Sequence, residues 1–296
     1  GNAAAYTMIS MLHRIGTGKP IGSLQSLATA LAASVEAAGG SIEVNCPVAE
    51  IVVEENNTRG GRLEDGRFIA AKVVIASCDP KLAYQMVTPG GIERRLLRRM
   101  EHAPSGGRDN AAPFLANIAM SGPMTLKKHQ DMRHDDTDLS KSVGMIGLPE
   151  DVREMFWAAR RGEIPARHAF SVTPTSNIDP SQAPAGQSVA YIYLAASAIK
   201  LRNSDWTQER KDFAMKAILA QLSEFYDGFD AEIGRFVESP IDRQQRLNIT
   251  NGCVTHIDFA ASRSGSKRPA FGLGDAIPVV PGFFLGGAGI HPGGGV

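Results

Sequence analysis

Residues 280–296, VPGFFLGGAGIHPGGGV, hold the pattern with the most chemistry in it. A short apolar run leads directly into a loop of glycines broken only by Ala288, Ile290, His291 and Pro292. Glycine has no Cβ, so a backbone built from it can approach a ligand closely. Where such a loop ends in a helix start, the unpaired N–H groups and the helix dipole favour an anion or an electron-rich carbonyl. A flexible glycine tail is the plainer alternative, although a tail rarely follows so clean an apolar strand.

Other segments offer less. Gly16-Thr17-Gly18-Lys19 hints at a phosphate loop, but Pro20 takes the Ser/Thr position and His13 stands where the first glycine belongs. No GxGxxG follows a strand, and no GxSxG elbow supplies a hydrolytic serine. His129, His134, Asp135, Asp136 and Asp138 share a polar stretch but match no ligand spacing, so no metal site is expected. His256 precedes a short apolar stretch and reads as a structural histidine or an active-site acid. Tyr191 and Tyr193 point to one face of their strand, either filling the core, the favoured reading, or lining an apolar pocket. Arg94, Arg95, Arg98 and Arg99 suit one solvated helix face.

Composition narrows the classes. Hydrophobic residues make up 43% and charged residues 21% of the 296, as in a globular protein of one or two domains. With 31 basic and 31 acidic residues, nothing draws the chain towards nucleic acid. Cys46, Cys78 and Cys253 form no CxxC pair, which suits reduced thiols in a cytoplasm-like compartment. No apolar run reaches the length of a membrane span. The start at Gly1 and the stop after the glycine row read as a fragment.

The elements that must position these residues follow from periodicity. Leu24, Leu27, Leu31 and Val35 draw an apolar helical stripe, with Ser23 as N-cap and Gly39-Gly40 as stop. Strands are expected at 42–45, 48–54 and 61–63, with hairpin turns at Asn56-Asn57 and Asp65-Gly66. KVVIAS at 72–77 reads as a strand buried on both faces of a parallel sheet, and Asp79-Pro80 as the start of a helix. The middle changes character: strands at 114–120, 169–173 and 189–196 mix with helices at 151–161 and 206–226. The long helix is expected to begin after Asp205 and to bury Phe213, Ile218, Leu222 and Phe225. The expected architecture is α/β, with residues 1–100 and 251–296 forming one domain around an inserted α+β domain at 101–250.

Taken in order, IGSLQSLATALAASVEAAGGSIEVNCPVAEIVVE (21–54), GRLEDGRFIAAKVVIASCDP (61–80), DPSQAPAGQSV (179–189), DWTQERKDFAMKAI (205–218) and FFLGGAGIHPGGGV (283–296) resemble the phytoene-dehydrogenase-like flavoproteins. The last stretch carries the resemblance most specifically. Two departures stand out: Ile21-Gly22-Ser23 replaces the usual GG-M-G opening, and 251–269 keeps His256 in an unusual context.

The resemblance implies an FAD/NAD(P)-binding, Rossmann-like fold that is incomplete here, lacking the N-terminal dinucleotide fingerprint. FAD is the implied cofactor, contacted by Val48, Ser77, Gly286, Gly287, Ala288, Gly289, His291, Pro292, Gly293, Gly294, Gly295 and Val296. Gly22, Ser23 and His256 are implied on the substrate side. The implied reaction removes a hydride from an apolar, isoprenoid or carotenoid substrate to flavin N5, leaving a C=C bond; no protein base is assigned. A flavin amine oxidase reaction and a non-catalytic binding or assembly role are the rivals. Peripheral membrane contact is compatible with such a substrate.

Overall fold

The computed structural model describes residue 14 and residues 18–258, 263, 265–274 and 278–294. The chain divides into two units, one built from 34–106 and 247–294 and the other from 18–33 and 107–246.

Helix α1 (Leu24–Ala37) forms as its periodicity dictates, and Ser23 Oγ accepts from the Gln25 amide at 3.2 Å. Its stripe, however, is not buried: Leu24, Leu27, Leu31 and Val35 are all exposed. The strand expected at 42–45 is absent, and Ile42 and Val44 are exposed there. A strand needs a ladder partner, and none of the described strands pairs with these residues.

In the first unit, β1 (Val48–Glu54), β2 (Asn57–Leu63) and β3 (Phe68–Ala70) make the expected antiparallel meander. Glu55 and Asn56, both at positive φ, form the two-residue turn between β1 and β2. Strand β4 (Val74–Ala76) is buried on one face only, because Val73 and Ile75 point outward. Helix α2 (Pro80–Gln85) starts with proline in its first turn, and α3 (Arg94–Glu101) carries its arginines mostly in solvent.

The second unit is organised by a five-stranded antiparallel sheet. Chain order gives β5 (Ala111–Met120), β6 (Thr125–Leu126), β7 (Gly144–Ile146), α4 (Pro149–Arg161), β8 (Phe170–Thr173), α5 (Thr175–Ile178) and β9 (Ser188–Ala198). Then come α6 (Gln208–Leu222), β10 (Tyr226–Asp227), β11 (Glu232–Glu238) and α7 (Pro240–Leu247). The sheet order is β11-β5-β9-β8-β7.

Alternation decides its faces. Phe114, Ala116 and Ile118 on β5 and Ala190, Ile192 and Leu194 on β9 enter the core with Met215, Ile218 and Leu222 of α6. Tyr191 and Tyr193 therefore fall on the opposite face, half-buried with ring centroids 6.4 Å apart, which corrects their favoured core assignment. Phe213 is exposed rather than packed, and the cap of α6 is Thr207, whose side chain accepts from the Arg210 amide. Trp206 instead donates Nε1–H to the Ala198 carbonyl at 2.7 Å and stacks on Phe114.

The chain returns to the first unit for β12 (Phe283–Leu285), which pairs in parallel with β4. Gly282 allows the approach: it has φ +82°, and a Cβ there would lie 2.4 Å from the Lys72 carbonyl oxygen. Tyr84 and Phe283 meet edge to face beneath the pair, within the core formed by Ile51, Ala83 and Met100.

Candidate functional site

Strands β4 and β12 run parallel and stop together, Ala76 opposite Leu285. Gly286 N–H donates to the Ala76 carbonyl at 2.8 Å, closing the pair, and the glycine loop begins there. In an open parallel α/β sheet, ligands bind in the crevice beyond the carboxyl ends of the strands. That is the position of residues 286–294.

The loop's path requires its glycines. Gly287 has φ +79° and Gly293 φ +110°, a region costly for side chains with a Cβ. A Cβ on Gly287 would come 3.1 Å from the Ser77 carbonyl oxygen, and one on Gly294 would come 2.9 Å from Ala288 Cβ. Gly289 is the tightest: its Cβ would meet Pro80 Cγ at 2.2 Å. The loop backbone is thus pressed against the first turn of α2.

That turn is fixed by Asp79, which is fully buried. Its Oδ1 accepts from the Lys81 amide at 2.8 Å, capping α2, and its Oδ2 accepts from the Thr250 amide at 2.7 Å. One carboxylate therefore ties the helix start to the segment leading to His256.

His256 adopts φ +60°, a strained left-handed conformation for a non-glycine residue. It lies against the loop, its Cβ 3.4 Å from the Cβ position of Gly289. Its Nδ1 is buried without a hydrogen-bond partner, and burial first, then the nearby Arg268 charge, hold its pKa below the usual histidine range despite Asp79. A neutral imidazole with one unfilled ring nitrogen can donate to or accept from a bound polar group. On another side, Ile290 and His291 border a cavity of 320 Å³ lined also by Tyr84, Leu273 and Phe283.

The structure therefore gathers Ser77, Gly286, Gly287, Ala288, Gly289, His291, Pro292, Gly293, Gly294 and His256 at one end of one parallel pair. Gly295 and Val296 lie outside the described residues. Val48 opens β1, in register with Leu63. Gly22 and Ser23 belong to the second unit, where Gly22 N–H donates to Asp179 Oδ2 at 2.8 Å. Asp79, Pro80 and Arg268 were not singled out from sequence as site residues. The Asp-Pro helix start was visible, but its second bond to residue 250 spans too much chain for any local pattern. Among the described residues no group of three or more His, Cys, Asp or Glu could hold a metal ion, and no helix is long and apolar enough to cross a membrane.

The chain resembles known proteins along most of its length. The family model of flavin-containing amine oxidoreductases matches residues 5–296. A pyridine nucleotide-disulfide oxidoreductase domain-containing protein 2 from Rattus norvegicus is 24% identical over 290 residues, 93% of this chain and 48% of its own length. A neurosporene-forming phytoene desaturase from Rhodobacter capsulatus is 25% identical over 295 residues, 98% of this chain and 53% of its own. The chain thus spans about half the length of the curated relatives it matches. A crystal structure of an oxidoreductase from Methanosarcina mazei superposes with a TM-score of 0.59 at 14% identity, covering 97% of this chain and 54% of that one.

Proposed function

From the premise that this chain belongs to the flavin-containing amine oxidoreductase family, and is therefore a flavoprotein chain whose cofactor is FAD, we propose that its glycine loop seats FAD for dehydrogenation of an apolar, isoprenoid-type substrate. The observation that carries the seat is the fit of the loop. Its backbone follows the carboxyl ends of β4 and β12, kept bare by glycines and backed by Pro80 at the start of α2. Gly286, Gly287, Ala288, Gly289, Gly293 and Gly294 would hold the cofactor along their backbone, with His256 packed behind Gly289. Bound there, FAD supplies a hydride acceptor at N5.

This chain's own residues supply orientation and shielding. Glycine backbone presents N–H groups without side chains to crowd the ligand. Asp79 holds the turn of α2 and the 250 segment in one place, so the loop meets a fixed wall. The phytoene desaturases among the relatives favour an apolar, isoprenoid-type substrate.

The experiment is FAD uptake followed by anaerobic substrate addition. The protein encoded in full should carry flavin and bleach with an apolar polyene. Bleaching only with amines would transfer the assignment to amine oxidation, and a protein that takes up no flavin would remove the seat altogether. This chain by itself is expected to hold FAD weakly, as seen by titrating flavin fluorescence.

A further inference from the structure

Arg268 is 1% exposed, and its guanidinium faces main-chain oxygens. Nη2 donates towards three carbonyls: Thr255 at 2.6 Å, Ile257 at 2.9 Å and Ala288 at 2.8 Å. Nη1 donates to the Asp258 carbonyl at 3.4 Å. Three of these acceptors belong to the turn that carries His256, and the fourth lies inside the glycine loop, one residue before Gly289. A planar fork of N–H donors is the feature that lets one side chain join two segments in this way. Burying it has a cost, because a charge leaves water, and desolvation pulls its pKa below the usual guanidinium range. A lysine would keep the charge but could not reproduce the fork.

We propose that Arg268 is a positioning residue for the cofactor seat: its guanidinium locks the His256 turn to the glycine loop through the Ala288 carbonyl and leaves a fixed positive charge behind that loop. This deepens the reading of the loop as an FAD seat and rests on it. The lock explains why the loop can follow a defined path although five of residues 286–294 are glycine. The charge acts on whatever is bound in front, since added negative charge beside a buried cation is stabilised more than in water. A flavin that takes up electrons is such a ligand, so its midpoint potential should follow the charge at residue 268.

The test compares the full-length protein with its Arg268→Lys and Arg268→Gln forms. FAD affinity is read by fluorescence titration, midpoint potential by anaerobic dye equilibration, and the lock by amide hydrogen exchange in the flavin-free protein. Arg268→Gln should raise the FAD dissociation constant about tenfold, as loss of charged hydrogen bonds does. It should also lower the potential and speed exchange in both 255–258 and 286–294. Arg268→Lys should restore the potential while recovering affinity only in part. Lowered thermal stability with unchanged potential and unchanged affinity would overturn the proposal, leaving Arg268 a packing residue. Should the glutamine form not fold, a lysine form with wild-type affinity and wild-type exchange in both segments overturns it equally. A wild-type protein that takes up no FAD, while Arg268→Gln still loosens both segments, sinks the cofactor reading and keeps the lock.

Discussion

A β-carbon at Gly289 would lie 2.2 Å from Pro80 Cγ and 2.5 Å from its Cδ. The proline ring is held in the first turn of α2 and cannot swing aside. Gly289→Ala is therefore expected to displace the loop and cut FAD uptake by about tenfold or more, a loss of at least ~1.4 kcal/mol. The ratio of flavin to protein absorbance after purification measures it, and wild-type loading in the alanine form would refute the need for the loop to lie against Pro80. His168 supplies a second residue-level prediction. It is buried with both ring nitrogens unbonded, and desolvation pushes its pKa down to about 4, with Asp151 opposing only in part. The folded state thus prefers the neutral ring, while the unfolded chain takes a proton at ordinary histidine pH. The stability this provides is complete above about pH 6.5 and disappears as pH falls towards about 4, a loss of roughly 3 kcal/mol. Urea midpoints across that window should slope for the wild type and flatten for His168→Leu. Of these residues, Gly289 could be read from the glycine row itself. Arg268 could not, because its partners come from two segments that only the folded chain brings together.

At the scale of elements, the strands and hairpins with strong local signals form as their sequences indicate. Those whose identity depends on a partner do not. Strand β11 was not anticipated, since EIGRFVE alternates poorly and carries a bulge between Glu232 and Gly234. Helix α7 had a readable start: Ser239-Pro240-Ile241-Asp242 is a capping box, with Ser239 N–H donating to Asp242 Oδ2 and Asp242 N–H to Ser239 Oγ. The two elements are joined by Glu238, fully buried, which accepts from Arg243 at 2.8 Å and from Arg246 at 2.5 Å. Removing one member of a buried pair strands the other's charge, so Glu238→Gln is expected to cost about 3–5 kcal/mol in denaturant unfolding. A loss under ~1 kcal/mol would show that water reaches Arg243. Helix α1 is the opposite case. Leu31 is 60% exposed, so Leu31→Gln should change the stability of this chain by no more than about 0.5 kcal/mol. A much larger loss in an unfolding titration would mean that something covers the stripe.

For the molecule as a whole, the fold class was legible: helices and strands mix in an α/β chain that carries sheets. The face of the second sheet was not, because alternation fixes which residues share a side but not which side is buried. Tyr191 and Tyr193 turned outward for that reason, with Ile192 and Leu194 taking the core.

The pairing of β4 with β12 also sets a timetable. Val74 and Phe283 stand in register although about two hundred residues separate them. A ribosome adding roughly 5–20 residues per second needs on the order of 10–40 s to cross that gap, during which the first strand waits without its mate. The sheet of the middle region is complete in sequence well before then. The middle region should accordingly fold before β4 finds β12, with flavin loading only after that pairing. Nascent chains arrested before residue 283 should already protect the middle region from protease yet recruit no flavin.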